Sequence, residues 1–168
     1  PRHTSDLMSE HNQLGTDLTQ SPPTWDDQVW LRAQTQLPLI VKGVLSASAA
    51  AKAVALGADA IVVSNHGGRV LDGAVSPLEV LPPIRAAVPA HIPLLMDSGV
   101  RHGTDVLKAI ALGASAVMVG RPQMHALAVA GMLGVAHMLY LLRAEFELAM
   151  AQTGCQSIEN IEKNLLTT

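Results

Sequence analysis

The fold is decided by the stretch AIVVSNHGGR at residues 60–69. Its first four residues are an unbroken apolar run, too short for a helix and rich in β-branched side chains, which is typical of a strand buried on both faces of a parallel sheet. The stretch then becomes polar and flexible, with His66 and Arg69 separated by two glycines. A base and a cation at this end of a strand are typical of an α/β active site. Taken alone, the stretch equally fits a strand that ends in a glycine turn with a surface His and Arg.

An internal repeat extends this pattern along the chain. Residues 53–64 match residues 109–120 at seven of twelve positions, and each copy has the pattern of a helix end, a glycine cap and a buried strand. Two further apolar runs, at 38–43 and 94–96, join strands at 60–63 and 116–119. Strand–helix units that recur at this spacing predict a right-handed parallel α/β structure.

Helices are predicted between and around these strands from capping residues and apolar spacing. Thr24 is the predicted N-cap of a first helix, and the others are expected at about 46–55, 76–88, 104–112 and 122–153. The last helix is expected to break near Gly131 or Gly134, and a short final helix is expected near 157–163. We interpret residues 1–23 as an irregular lead-in and 24–168 as the folded domain.

Each predicted strand is apolar in its body and polar or glycine-rich at its C-terminal end. The four ends carry, in chain order, Lys42-Gly43, Ser64-Asn65-His66, Asp97-Ser98-Gly99 and Gly120-Arg121. This asymmetry is the rule for a (β/α)8 barrel, whose active site lies at the carboxyl face of the strands. A complete barrel takes about 250 residues, so we predict four units, the C-terminal half of such a barrel.

The last two strand ends have the composition of a phosphate site. Gly99 and Gly120 would let backbone N–H groups approach an anion, and Arg101 or Arg121 would add charge-assisted hydrogen bonds. In such barrels the corresponding loops commonly hold a phosphate. The alternative is that the glycines only make tight turns and the arginines only pair with surface carboxylates.

The first two strand ends suit chemistry on an organic acid. His66 is a workable base near neutral pH, and the Arg69 guanidinium can bind a carboxylate through two hydrogen bonds. Lys42 is a compact positive charge able to stabilise a developing anion. A lysine that only extends from a strand end to solvent is the alternative for Lys42.

Composition excludes several classes of protein. The 168 residues carry a net charge of −3 with no basic run, so nucleic-acid binding has no support. The single Cys155 fits a reducing compartment, and we expect a cytoplasmic protein in which this thiol is buried and structural. No unbroken apolar run reaches the roughly 18 residues of a membrane span. Met118, Met124 and the other methionines are expected to pack in the core.

Together the motifs resemble those of the FMN-dependent α-hydroxy acid oxidases and dehydrogenases, which include glycolate oxidase, lactate oxidase, L-lactate dehydrogenase and mandelate dehydrogenase. The resemblance covers roughly residues 24–160 and is most specific in Ser-Asn-His-Gly-Gly-Arg. It rests on four segments in family order: residues 39–43, residues 63–69 with Leu71-Asp72, residues 97–105, and Gly120-Arg121-Pro122.

The resemblance implies oxidation of a 2-hydroxy acid to a 2-oxo acid with FMN as cofactor. It implies that His66 is the catalytic base and contacts the substrate, and that Arg69 binds the substrate carboxylate. The implied cofactor-binding residues are Lys42, Ser64, Asp97, Ser98, Gly99, Val100, Arg101, Gly120 and Arg121. The implied partners are a small 2-hydroxy acid such as lactate or glycolate, and oxygen or another electron acceptor. We expect no metal and no membrane segment.

The chain also departs from the family pattern. Ser98 stands where a second glycine is usual, and only four of eight strand–helix units are present. Two hypotheses follow. The chain is either the C-terminal half of such an enzyme, active only with its N-terminal half, or a truncated, non-catalytic half-barrel that at most binds FMN or phosphate or assembles with another chain. A homo-oligomer or a separate first half is expected, because the terminal strands would be open edges.

Overall fold

The computed structural model describes residues 22–166. The chain divides into two compact units, Pro1–Gln36 and Leu37–Thr168. The predicted lead-in at 1–23 lies outside the described residues except for Pro22 and Pro23, which belong to no helix or strand. The domain boundary placed at residue 24 stays a prediction.

The first unit contains helix α1, Trp25–Gln34. Thr24 caps it as predicted, because its backbone N–H and its hydroxyl donate to Asp27 Oδ2 at 2.6 and 2.8 Å. These two hydrogen bonds, the backbone one first, hold the pKa of Asp27 below its ordinary value. The carboxylate at this position also interacts favourably with the helix dipole.

The second unit is built on one parallel sheet with the order β1-β2-β3-β4. The strands are β1 (Ile40–Val44), β2 (Ala60–Val63), β3 (Leu94–Met96) and β4 (Ala116–Val117). The predicted parallel α/β arrangement is confirmed. β4 is shorter than the predicted 116–119, although pairing continues through the Met118 N–H, which donates to Met96 O at 2.9 Å.

Helices follow the strands in alternation. They are α2 (Ala47–Ala55), α3 (Pro77–Ala87), α4 (Gly103–Ala111) and α5 (Arg121–Gln152). Ser46 caps α2 as predicted, since its hydroxyl accepts the Ala49 N–H at 3.2 Å. Instead of one final helix, the tail forms two 3-10 turns, Ile158–Asn160 and Lys163–Leu165.

The core is aliphatic, as the 2% aromatic content requires. All of β2 is buried, and Ile61, Leu81 and Leu94 are fully inaccessible. A second cluster gathers Leu107, Ala149 and Ile161 around Cys155, whose thiol is free and buried. Cys155 is therefore a small apolar packing group, as predicted.

Backbones of α4 and α5 meet at Gly103. A Cβ added there would lie 2.0 Å from Phe146 N, a distance at which no side chain fits. The Gly103 N–H donates to Glu145 Oε2 at 2.8 Å, which satisfies a free donor at the start of α4. This contact fixes where α5 lies against the sheet unit.

Helix α5 is interrupted and largely exposed. Ala130 and Gly131 leave helical geometry, with Gly131 at φ 57°, which confirms the predicted break. Val129, Met132 and Leu133 are 86, 79 and 72% exposed. Among the described residues, α5 is the one helix long and apolar enough to cross a membrane by length and composition, with none of its apolar window buried. The search for unbroken runs missed it, because scattered glycine and histidine residues interrupt the run without making the helix polar.

Candidate active site

The carboxyl ends of the four strands surround one cavity of about 510 Å³. Every predicted site residue lines it except Ser64, which is fully buried behind the wall. The roles assigned to these residues stay predictions, but their convergence on one rim is a property of the fold. The lining residues are Lys42, His66, Gly67, Arg69, Val70, Asp97, Ser98, Gly99, Val100, Arg101, Met118, Gly120, Arg121, Pro122 and Met124.

An ion pair crosses from the end of β1 to the end of β3. Lys42 Nζ lies 2.5 Å from Asp97 Oδ2 and also donates to Ser64 Oγ at 2.7 Å. Burial alone would raise the pKa of Asp97, but hydrogen bonds from Lys42, Ser64 and Ser98, with the Lys42 charge, lower it below the ordinary value. The carboxylate is therefore ionised at neutral pH, and the half-exposed Lys42 keeps a fixed positive charge at the cavity wall.

The turn that carries His66 has an uncommon backbone. His66, Gly67 and Gly68 have φ angles of 56, 70 and 70°, all in the left-handed region. For a non-glycine residue such as His66 that conformation costs on the order of 1–3 kcal/mol. Three side chains accept the N–H groups of the turn: Ser64 Oγ accepts from His66 at 3.1 Å, Ser98 Oγ from Gly67 at 3.0 Å, and Asn65 Oδ1 from Gly68 at 3.1 Å. The imidazole therefore projects from a braced backbone.

Gly43 makes room for that imidazole. The pairing of β1 with β2 shifts register between Lys42 and Val44, so Gly43 is the extra residue of a bulge. Its φ is +95°, and a Cβ added there would lie 2.8 Å from His66 Nε2. Both its backbone angle and the close contact require glycine. The backbone of the bulge at Gly43 thus lies against the Nε2 edge of the His66 ring.

Arg121 joins the fourth strand end to the second. Its Nη2 donates to Gly67 O at 2.6 Å, so the guanidinium holds the turn from the opposite side. The sequence predictions gave Gly67 no role of its own. The available signal was the glycine pair after the histidine, which allows the left-handed turn and leaves its carbonyl accessible.

The third and fourth strand ends leave room for an anion. A Cβ added at Gly99 or Gly120 would meet nothing within 4 Å, so space remains beside both. Within the described part of the chain, the N–H groups of Gly99, Val100 and Gly120 donate no hydrogen bond to protein. Free N–H donors, two guanidinium groups and the first turn of α5 suit the phosphate of FMN. The residues present therefore fit this end of the cofactor.

Three methionines contradict their predicted place in the core: Met132 is 79% exposed on α5, and two others lie at the cavity. Met118 and Met124 are 40 and 57% exposed and line the cavity with Val70 and Pro122. They form an apolar wall between the charged residues. Sequence analysis missed them because apolar residues near strand ends have the same pattern whether they face the core or a cavity.

Comparisons with known proteins match the chain to one family over most of its length. The sequence model of the FMN-dependent dehydrogenase family matches residues 2–168. The chain is 51% identical to an L-lactate oxidase from Nostoc sp. over 143 residues, 85% of this chain and 39% of that protein. It is 52% identical to 2-hydroxyacid oxidase 1 of Mus musculus over 143 residues, again 85% of this chain and 39% of that protein.

A solved structure gives the same result in three dimensions. The chain matches a soluble mutant of the membrane-associated (S)-mandelate dehydrogenase from Pseudomonas putida with a TM-score of 0.82 and 44% identity, over 86% of this chain and 41% of that one. The chain therefore spans about two fifths of the relatives' length, which confirms the prediction of half a (β/α)8 barrel. On these matches, the chain belongs to the FMN-dependent dehydrogenase family.

Proposed function

We propose that this chain supplies the flavin-phosphate site and the catalytic base of an enzyme that oxidises small 2-hydroxy acids to 2-oxo acids with FMN. The observation that carries the proposal is a single cavity rim. Lys42, His66 and Arg69 meet there with the glycine-rich ends of β3 and β4 that leave room for an anion. The named relatives act on lactate, on other 2-hydroxy acids and on mandelate.

The proposed chemistry separates into binding and proton transfer. Arg69 binds the substrate carboxylate through two parallel hydrogen bonds, which orients the hydroxyl-bearing carbon toward His66. Oxidation removes two electrons and two protons from that carbon and its oxygen. One proton passes to a ring nitrogen of His66, for which the described residues provide no hydrogen-bond partner. When bound, FMN would accept the two electrons together with the remaining proton.

Lys42 has an electrostatic role in this scheme. Its ammonium is held by Asp97 and Ser64, so the position of the charge is fixed before any reaction. A fixed positive charge beside the cavity stabilises negative charge that develops there, because no side chain has to reorganise. The phosphate of FMN would be held by the Gly99, Val100 and Gly120 N–H groups with Arg101 and Arg121.

The second candidate function is a non-catalytic half-barrel that binds FMN or phosphate or assembles with another chain. The exposed apolar surface of α5 and the open edges of β1 and β4 favour it. In either case we expect the isolated 168-residue chain to self-associate or to be unstable, because unpaired strand edges invite further pairing. A compact monomer in gel filtration would contradict this expectation.

A chimera distinguishes the two candidates. This chain replaces the matched 143-residue stretch of the Nostoc L-lactate oxidase, and flavin reduction is followed anaerobically with lactate, glycolate and mandelate. We expect the chimera to bind FMN and at least one acid to bleach the flavin band. A chimera that binds FMN but is reduced by none of them favours the non-catalytic candidate. If the chimera does not fold, FMN titration of the isolated chain against its Arg121→Met variant still tests the phosphate site.

A further inference from the structure

Two serine hydroxyls hold two consecutive N–H groups of the histidine turn. Ser64 Oγ accepts the His66 N–H at 3.1 Å, and Ser98 Oγ accepts the Gly67 N–H at 3.0 Å. The serines come from different strand ends, after β2 and after β3. The turn that carries His66 is therefore fastened to two strands, although its residues belong to only one.

The same hydroxyls reach the ion pair. Ser64 Oγ accepts from Lys42 Nζ at 2.7 Å, and Ser98 Oγ donates to Asp97 Oδ1 at 2.7 Å. With the Lys42–Asp97 contact these bonds close a ring that runs through both serines and through the His66–Gly67 backbone. Because Ser64 also hydrogen-bonds Asp97, a change at the carboxylate reaches the His66 N–H through Ser64 and the Gly67 N–H through Ser98.

Ser98 adopts a backbone conformation that does not favour serine. Its φ is +73°, in the left-handed region where glycine is at no disadvantage. The backbone alone therefore gives no reason for a side chain at this position. Both hydrogen-bonding capacities of the hydroxyl are used, one toward the turn and one toward the carboxylate, and this is the contribution that a glycine would lack.

We propose that the Ser98 hydroxyl is a positioning group for His66. It fixes the imidazole because it accepts the Gly67 N–H and donates to Asp97, which links the turn to the carboxylate. This inference rests on the proposed function, since it gives Ser98 a part in presenting the base. Ser98 is not a catalytic residue in this scheme, because its hydroxyl acts through Gly67 and Asp97 and not on the reacting atoms.

Two variants separate the hydroxyl from the backbone strain. Ser98→Gly removes the hydroxyl and relieves the left-handed φ, whereas Ser98→Ala removes the hydroxyl and keeps the strain. If the hydroxyl matters, both variants change the turn in the same direction. If only the backbone matters, Ser98→Gly stiffens the turn or leaves it unchanged and Ser98→Ala leaves it unchanged, and this pair of results would overturn the proposal.

The first readout is amide hydrogen exchange of the chimera, in which the neighbouring part of the barrel is supplied by the lactate oxidase. Losing one hydrogen bond of about 1 kcal/mol predicts that exchange at Gly67 speeds up about fivefold in both variants. Ser115→Ala is the matched control, because it removes a hydroxyl that accepts the Leu94 N–H at 3.3 Å at the other end of the sheet. It should change exchange at Leu94 and leave Gly67 unchanged. Unchanged exchange at Gly67 in both Ser98 variants would overturn the proposal.

The second readout is the ring-current shift of the Gly43 Cα protons. The Nε2 edge of the His66 imidazole lies beside Gly43, so the shifts of those protons report the ring's position without any cofactor. We expect both Ser98 variants to move these resonances toward ordinary glycine values. A Gly43 signal that stays in place would show that the imidazole is held without Ser98.

The third readout is turnover of the chimera. A positioning role predicts that kcat falls about fivefold in Ser98→Gly while KM for the acid is unchanged, because Arg69 is untouched. A chimera that binds FMN but oxidises no acid even with wild-type Ser98 refutes the proposed function. An active chimera in which Ser98→Gly equals wild type refutes the positioning role alone.

Discussion

The first two strand ends and the last two are organised in opposite ways. At the ends of β1 and β2, the N–H groups of His66, Gly67 and Gly68 all have protein acceptors, and Lys42 is paired. At the ends of β3 and β4, Gly99 and Gly120 have open space beside them. The protein thus fixes the groups proposed to do chemistry at the ends of β1 and β2, which we call the braced side. It leaves donors free at the ends of β3 and β4, where a phosphate is proposed to bind. Preorganisation is concentrated where charge and protons would move.

Breaking the braced side should have the largest effect. His66→Ala in the active chimera should lower kcat by about 10²- to 10⁴-fold, the range for loss of a general base. His91→Ala is the control, because His91 is exposed and lies away from the cavity. Stopped-flow reduction of the flavin measures the rate. Equal rates in the two variants would remove His66 from the mechanism.

Substrate recognition is the next test of the braced side. Arg69→Lys keeps the charge but loses the planar pair of donors, so kcat/KM should fall about 10- to 100-fold. FMN affinity should stay the same. Steady-state kinetics with lactate measures the loss, and Arg143→Lys, in an exposed pair with Glu147, is the control. A change in FMN affinity instead would assign Arg69 to the cofactor.

A pair of arginine variants tests whether the two sides are separate. Arg101→Met and Arg121→Met should each weaken FMN binding about 10-fold, because each removes a charge-assisted contact. Only Arg121→Met should also lower the flavin reduction rate at saturating FMN, since Arg121 alone donates to Gly67 O. Fluorescence titration gives the affinity. Identical profiles for both variants would show that the Arg121–Gly67 contact does not support the turn.

Substitution of Gly43, which lies against the His66 ring, should change the free energy of unfolding. Gly43→Ala should destabilise the chain by about 1–3 kcal/mol, through its positive φ and the contact with His66. Gly73→Ala shares the positive φ of +72° but has nothing within 4 Å, so it isolates the backbone cost. Urea unfolding of both variants measures the difference. Equal losses of unfolding free energy in the two variants would mean that the imidazole moves aside without a measurable cost.

The smallest effect concerns pH. The folded-state pKa of Asp97 lies below its unfolded value of about 3.9, so its stabilisation is complete above that pH and is lost as pH falls through the lowered pKa. Because Lys42 is 39% exposed, screening keeps this contribution to about 1 kcal/mol or less. Urea unfolding should separate wild type from Asp97→Asn at pH 7, and the gap should narrow toward pH 3. A constant gap would contradict the assignment.

Sequence reasoning predicted the elements and the rim because both depend on local patterns. The apolar run at 60–63 and the polar residues after it place His66 at a strand end whatever the rest of the chain does. Ser46 and Thr24 predicted helix starts for the same reason. Strands that run parallel then bring their carboxyl ends together by geometry alone.

The hydrogen bonds that hold the His66 turn could not be predicted in this way. The bonds from Ser64 and Ser98 depend on distances across three strands, and residues 64 and 98 are far apart in sequence. The left-handed φ of His66 is unusual for its residue type, so propensity argues against it. The exposure of α5 does not follow from its apolar content, because only the fold shows which of its residues are covered.

The two open edges of the sheet have a consequence for symmetry. All four strands run the same way, so a parallel continuation must place β1 of one copy beside β4 of the next. Such a head-to-tail contact joins two different edges, so no two-fold axis passes through the contact itself, although a closed ring of two copies has one along its own axis. It either closes after two copies, which would supply the eight strands of a barrel, or continues into a filament. A two-fold pairing of identical edges would instead set the strands antiparallel, and would leave the other edge of each copy exposed.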